Sequence, residues 1–306
     1  MFKIGIKIFL TLNLLPLFVE AIIGGSFAKP HEYPWIVGVV DNSGKCGGTI
    51  ISKNLVITAA HCVDHIDKYY NDELFIQMGQ SDLKSSLIKK EKVESILIHP
   101  QYIDMSHSYN RSTRTYEQTF DYNDIALLRL SKDIEFNHYF VEPIALPNEG
   151  ILDDYDGLMI AAGWGFSLDL TNEIDFFKNQ SILVKEKQEF IIQRAADPHN
   201  LMKLKMIFNT ECTTTSAIGH NEFCAAGRKQ PIIEGTCNGD SGSPLMTKRN
   251  GRIEIIGIAS KSHCFGSDNI FVNVGRFTTW IHKNLEKFVD PYLNLENSMV
   301  NQSHHI

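Results

Sequence analysis

Long apolar runs are almost absent from the chain. The one that exists, IFLTLNLLPLFV at residues 8–19, has twelve residues, and a helix needs about 20 to span a bilayer. Lys3 and Lys7 precede it and Val19-Glu20-Ala21 follows it, the layout of a signal peptide over residues 1–21. The other reading of this stretch is an uncleaved anchor. With no second run of this kind, the mature chain is expected to be secreted, extracellular and off the membrane. Basic charge is also in short supply. The chain has 29 Lys and Arg against 36 Asp and Glu, a net charge of −7. The leader removes Lys3, Lys7 and Glu20, so the mature chain would carry −8. Non-specific binding to nucleic acid or anionic lipid needs clustered Lys and Arg, so neither is expected as a partner. No sequence repeats at a fixed period, no metal-ligand motif stands out, and no cofactor or metal is expected. Cysteines number only six, but the count is even, and in a secreted chain that reads as three disulfides.

Several short β-type runs are present instead. WIVGVV (35–40), GGTIIS (47–52), LVITAA (55–60), LFIQMG (74–79), VESILIH (93–99), DIALLRL (124–130), LMIAAGWG (158–165), SILVKEK (181–187), IEIIGIAS (253–260) and IFVNV (270–274) are rich in Ile, Val and Leu. Many are bounded by Gly, Asn, Asp or Pro, which predicts an antiparallel all-β sandwich or barrel. The length of 306 residues suggests roughly two units of about 150. One helix is expected at 278–290, with Trp280, Ile281, Leu285 and Phe288 on one face. Residues 103–123 read as a polar loop. Residues 188–211 read as partly helical, interrupted by Pro198, and the tail after Pro291 as frayed. Asn110-Arg-Ser, Asn179-Gln-Ser and Asn301-Gln-Ser are candidate glycosylation sites.

Three places carry reactive groups. TAAHC holds His61, DYNDIALLRL holds Asp124 at the mouth of an apolar run, and GTCNGDSGSPL holds Ser241 between glycines. A serine hydroxyl is a poor nucleophile at neutral pH. An imidazole can take its proton, and a buried carboxylate can hold that imidazole in the right tautomer. Glycines around a serine permit a tight turn and let backbone N–H groups converge on a carbonyl oxygen. Each signal is weak alone. Together they resemble the chymotrypsin/trypsin family of serine endopeptidases over roughly residues 22–289.

The resemblance implies two antiparallel six-stranded barrels, at about 22–135 and 136–277, then a helix at 278–289 and a tail at 290–306. It implies His61 as general base, Asp124 as its orienting carboxylate and Ser241 as nucleophile. The N–H groups of Gly239 and Ser241 would form the oxyanion hole, and Ser260 would support Asp124. The implied disulfides are Cys46–Cys62, Cys212–Cys224 and Cys237–Cys264, each closing a loop of roughly 12–28 residues worth on the order of 3 kcal/mol. The implied partners are protein or peptide substrates and protein protease inhibitors, on a monomer. In this family a freed N-terminal Ile inserts into the second barrel and pairs with the aspartate before the nucleophile. Ile22-Ile23-Gly24-Gly25 matches that start and Asp240 that aspartate. Relatives usually carry a propeptide ending in Arg or Lys, whereas Val-Glu-Ala stands here. Signal peptidase would then expose Ile22 itself. The alternative is cleavage further upstream, with a stub trimmed by another protease.

Other departures bear on specificity. Ser243 replaces the second glycine of GDSGGP, either straining a glycine-only conformation or standing as a tolerated small residue. The position that carries Asp in trypsin-like members is Gly235, followed by Thr236. The pocket walls, often Gly, align with Ser262 and Asn269. Lys261 stands where relatives commonly have Trp. These changes imply an uncharged residue on the acyl side of the scissile bond, chymotrypsin-like or elastase-like. Residues 79–91, matching a calcium loop of some relatives, are rich in Lys and poor in acid, so no calcium site is expected. The rival to an active endopeptidase is an inert homologue acting as a binding or regulatory protein.

Overall fold

A computed structural model describes residues 22, 25–66, 73–104, 109–110, 115–116, 122–137, 139–148, 157–165, 199–209, 218–227, 234–262 and 269–289. The β-type runs form strands because they close into barrels and are buried on one or both faces. In chain order the strands are β1 (Ser26–Phe27), β2 (Ile36–Val40), β3 (Lys45–Ile50), β4 (Leu55–Thr58), β5 (Phe75–Met78), β6 (Lys89–Ile98), β7 (Tyr109–Asn110), β8 (Thr115–Tyr116) and β9 (Ala126–Leu130). They continue with β10 (Met159–Gly163), β11 (Met202–Phe208), β12 (Glu222–Gly227), β13 (Pro244–Arg249), β14 (Arg252–Lys261) and β15 (Asn269–Asn273). Helix α1 (Thr278–Val289) follows.

Strands β2-β3-β4-β9-β6-β5 form one closed antiparallel barrel, sealed where Gly38 to Val40 pair with Gln77 to Phe75. Strands β11-β10-β13-β14-β15-β12 form the second, sealed by the β11–β12 pairing. The chain is therefore all-β, with two six-stranded barrels and a C-terminal helix. Ile50, Val56, Ile76 and Leu128 fill the first barrel, with Ile57 and Leu127 on its other face; Met159, Met202, Met206, Leu245 and Phe271 fill the second, all fully buried. Each such side chain contributes about 1.5–3 kcal/mol by leaving water. Strand β1 pairs with β11, so the chain just after Ile22 is tied to the second barrel.

Residues 202–208, inside the stretch 188–211 expected to be partly helical, form a strand of the second barrel; residues 188–198 lie outside the described residues. Met202, Leu204 and Met206 point inward while Lys203 and Lys205 are more exposed, the period of two that a strand requires. Met, Leu and Lys favour helices when isolated, and pairing with β10 and β12 overrides that preference. Within the expected loop at 103–123, β7 and β8 pair as a short hairpin. The neck of this insertion is closed by the Ile103 N–H donating to Tyr122 O at 3.0 Å. In α1, Ile281 is fully buried and Trp280 and Leu285 half-buried. The His99 ring packs edge-on against Phe277 and Trp280, docking the helix region onto the first barrel. The expected leader 1–21, the run 181–187, the tail 290–306, Asn179, Asn301 and the side chains of Asn110 and Phe288 lie outside the described residues.

Candidate active site

His61 sits in a short 3-10 turn, Ala60–Cys62, directly after β4. Cys62 is bonded to Cys46 of β3, which fixes that turn to the barrel. Cys224 and Cys237 are also disulfide-bonded; Cys212 and Cys264 lie outside the described residues. Asp124 precedes β9 and is buried. Its carboxylate accepts three hydrogen bonds: the His61 backbone N–H on Oδ1 at 2.9 Å, the His61 ring through Nδ1 on Oδ2 at 2.7 Å, and Ser260 Oγ on Oδ2 at 2.6 Å. Burial raises the Asp124 pKa, but His61 and Ser260 outweigh it and hold the group below the ordinary carboxylate range. Burial lowers the His61 pKa, but Asp124, with Asp64 and Asp104 beyond, outweighs it and places His61 above its usual 6.5. The Nδ1 contact fixes Nε2 as the nitrogen available for proton transfer.

Asp124 is itself held from both barrels. Asn123, in the left-handed region at φ 45°, donates from Nδ2 to Gln101 O at 3.0 Å. Asn221 Nδ2 donates to Asn123 Oδ1 at 2.9 Å from the second barrel.

Ser241 lies on a tight turn. Asp240 N–H donates to Cys237 O and Ser243 N–H to Asp240 O, both at 2.9 Å. Gly239 and Gly242 have φ of 94° and 79°, conformations open to glycine. A Cβ on Gly242 would also collide with Thr58 Oγ1 and Gly47 O. The Gly47 N–H of β3 donates to Ser241 O at 2.7 Å, so the first barrel anchors the turn carried by the second. Among the described residues no hydrogen bond joins Ser241 Oγ to His61. Such contacts are often loose without substrate.

Ser243 is outside the left-handed region, so its backbone is not strained as one reading expected. The glycine-only position is Gly242. The Ser243 hydroxyl is instead buried without a partner, in space left by Gly47 and Gly163, where a Cβ on either would press on it. A buried unmade hydrogen bond costs about 1–3 kcal/mol. Ser243→Ala should therefore stabilise the protein by about 1 kcal/mol, read as a raised urea midpoint at constant m-value. A lowered midpoint would show that the hydroxyl is bonded in solution.

Asp240 is buried. Its Oδ1 accepts the Gly165 N–H at 2.7 Å and its Oδ2 the Cys237 N–H at 2.9 Å. Burial pushes its pKa up to about 6, against the pull of those two donors and of the Lys45 ammonium. Ile22 is fully buried in the core of the second barrel, at φ 55°.

Around the expected pocket, Asn269 is buried with its Oδ1 taken by Thr236 N and Thr236 Oγ1, both at 2.9 Å. Its Nδ2 faces Ala225 O at 3.4 Å. A Cβ at Gly235 would meet Asn269 Oδ1 at 2.9 Å, so the absent side chain at 235 and the amide at 269 are matched. Ser262 is half-buried. Lys261 does not leave an empty wall: it is buried, its Nζ 2.9 Å from Glu222 and 3.7 Å from the centroid of the Tyr122 ring. Tyr122, Asn123, Asn221 and Glu222 escaped the sequence reading, because nothing local marks residues whose partners are 39 or 98 positions away. Among the described residues, Cys46, His61 and Cys62 cluster closely enough for a metal, but disulfide sulfurs are not thiolate ligands.

The trypsin family model matches residues 22–182 and 191–281, and the chain belongs to that family. It is 26% identical over 276 residues to the clotting factor G beta subunit of Tachypleus tridentatus, covering 87% of this chain and 80% of that one. It is 26% identical over 295 residues to CLIP domain-containing serine protease B9 of Anopheles gambiae, covering 87% and 63%. It is 27% identical over 285 residues to vitamin K-dependent protein C of Oryctolagus cuniculus, covering 87% and 52%. The chain thus spans under two thirds of the second and about half of the third.

Proposed function

We propose that this protein is a secreted serine endopeptidase in which Ser241, His61 and Asp124 form the catalytic triad. The observation that carries it is the Asp124 carboxylate, which takes both the ring and the backbone N–H of His61. His61 Nε2 accepts the Ser241 proton as Oγ attacks the scissile carbonyl. The N–H groups of Gly239 and Ser241 receive the developing oxyanion, a donor pair of which each member is typically worth about 10²–10³ in rate. Imidazolium, stabilised by Asp124, then protonates the leaving amine. An acyl-enzyme remains, and water delivered by the same imidazole releases the acid. Gly235 supplies no carboxylate and Asn269 no net charge, so the pocket favours an uncharged residue on the acyl side. The secreted setting is supported by the leader-like residues 1–21.

A diverse peptide library incubated with the protein beginning at Ile22 tests this, with Ser241→Ala in parallel. Cleavage by the wild type after uncharged residues is expected, and the variant should be slower by about 10⁶. Cleavage after Arg or Lys would overturn the specificity, and equal inactivity of both proteins would favour the inert homologue.

A further inference from the structure

The triad geometry accounts for Ser260 but not for the residue after it. Lys261 is a buried cation at the end of β14, close to the Asp124 site. Its ammonium meets the Glu222 carboxylate at 2.9 Å to each oxygen. It also lies over the Tyr122 ring at 3.7 Å. The three residues come from three places. Tyr122 is two residues before Asp124 on the chain entering β9 of the first barrel. Glu222 opens β12, and Lys261 ends β14, of the second. Beside them, Asn221 donates to Asn123 at 2.9 Å, and the Asn273 N–H holds Asn221 O at 2.8 Å. Both residues preceding Asp124 are therefore gripped by the second barrel, and the residue following Ser260 does part of the gripping.

We infer that Lys261, Glu222 and Tyr122 form an inter-barrel clasp that positions Asp124, with Lys261 as a positioning residue for the His61–Asp124 pair. This rests on the triad reading above. A surface ion pair would be weak evidence for such a role, but here both side chains are nearly inaccessible, at 7% and 1%. Burying an ion pair is expensive unless its geometry is satisfied, and removing one partner leaves the other charge uncompensated. A cation over an aromatic face is also strengthened when desolvated. The clasp thus ties the residue after Ser260 to the chain entering Asp124, beside the Ser260 hydrogen bond to Asp124 itself.

The clasp also has an electrostatic consequence at His61. Burial raises the Glu222 pKa and the Asp124 charge adds to that rise, while Lys261 and the Gly219 N–H pull against it. The charged and titratable groups acting on His61 are Asp124, Asp64 and Asp104, with the Tyr102 hydroxyl donating to Asp64. None of these belongs to the clasp, so changing the clasp leaves them in place and its charges reach His61 by way of Asp124. Lys261→Met removes the cation and leaves the Glu222 and Asp124 carboxylates without it, favouring imidazolium. Glu222→Gln removes an anion and leaves the cation, disfavouring it. The two single changes should move the His61 titration in opposite directions, and the double change should nearly cancel. A role limited to holding the fold together would give both single variants the same sign of effect.

The test measures kcat/KM for an ester substrate against pH, and the His61 Cε1 proton by NMR, in the protein beginning at Ile22. In the wild type the acid limb should lie above 6.5, since His61 must be neutral to act. Lys261→Met should raise the limb and the NMR titration by about 0.5 in pH, and Glu222→Gln should lower them by about as much. The double variant should return to the wild-type position, and Lys261→Arg, which keeps the cation, should stay near it. Should Lys261→Met not fold, Glu222→Gln and the double variant carry the same sign test. Unmoved titrations in the single variants, or shifts of one sign, overturn the clasp. If wild type and Ser241→Ala are equally inactive on the ester, the endopeptidase reading fails, while the NMR titrations still decide the clasp.

Discussion

Asp124→Asn should reduce kcat by about 10⁴ and leave the fold in place. The magnitude is that of a triad aspartate in this family, and the direction follows from the contacts here. Asp124 Oδ2 accepts from both Ser260 Oγ and the His61 ring, while Oδ1 accepts the His61 backbone N–H. An amide can keep the backbone contact with its oxygen, but it then turns an NH₂ toward Nδ1. Nδ1 becomes the acceptor, the proton moves to Nε2, and His61 can no longer take the Ser241 proton. Volume is unchanged and each contact keeps a partner atom, so the thermal midpoint should fall by only a few degrees. Activity should recover in strong alkali, where Ser241 needs less help. The wild-type carboxylate adds a separate pH effect. Its folded pKa is depressed, so its contribution to stability is present above the unfolded value and lost as pH falls through the folded one. In acid, therefore, Asp124→Asn should lose less stability than wild type. Undiminished kcat in Asp124→Asn, measured at neutral pH with saturating substrate, would remove this residue from the mechanism.

The fold was legible wherever strands announce themselves locally. LVITAA, IEIIGIAS and IFVNV gave their strands to within a residue or two at most ends, because β-branched runs bounded by turn residues have few alternatives. MKLKMIF did not, because its residues favour helix and its partners, β10 and β12, are remote. EFCAAG and PLMTKR were passed over as well: their small or mixed residues form strands here because a closed barrel supplies neighbours on both edges. At the site, the residues that carry reactive groups were legible from three short motifs, since reactive chemistry restricts residue type. The residues that hold Asp124 were not. In sequence Lys261 stands out only as a missing Trp, and its partners Glu222 and Tyr122 are meaningful only once β12, β14 and the entry to β9 are side by side. Ser243 was ambiguous for a related reason. The sequence placed it in a glycine slot, but only the backbone angles show that Gly242, one position earlier, needs glycine.

A chain beginning at Ile22 should cleave substrates about 10²–10³ times faster than one carrying any residue in front of it, or an acetyl group on it. Asp240 is fully enclosed, and among the described residues, with Ile22 amide-linked, its compensation is two backbone N–H groups and the field of Lys45. That environment lifts its pKa from 3.8 to about 6. In the extended chain this is a raised acid, so the sign is the reverse of the Asp124 case. Stability is fully present below the unfolded value and declines as pH rises through about 6, by about 3 kcal/mol in all. The turn bearing Gly239 and Ser241 includes Asp240, so the same imbalance would loosen the proposed oxyanion donors. A freed Ile22 ammonium would supply the missing cation from a residue already buried in the second barrel's core. The α-amino group, ordinarily near 7.7–8.0, should be raised by the pairing. Its contribution is then full below its unfolded value and lost as pH rises through the higher folded one. The trimmed protein should accordingly lose activity reversibly in alkali, while the extended protein should lose stability between pH 4 and 6. Intact mass fixes which form is present, and urea unfolding across pH separates the two. Equal activity of the acetylated and free chains would mean that Lys45 alone suffices for Asp240.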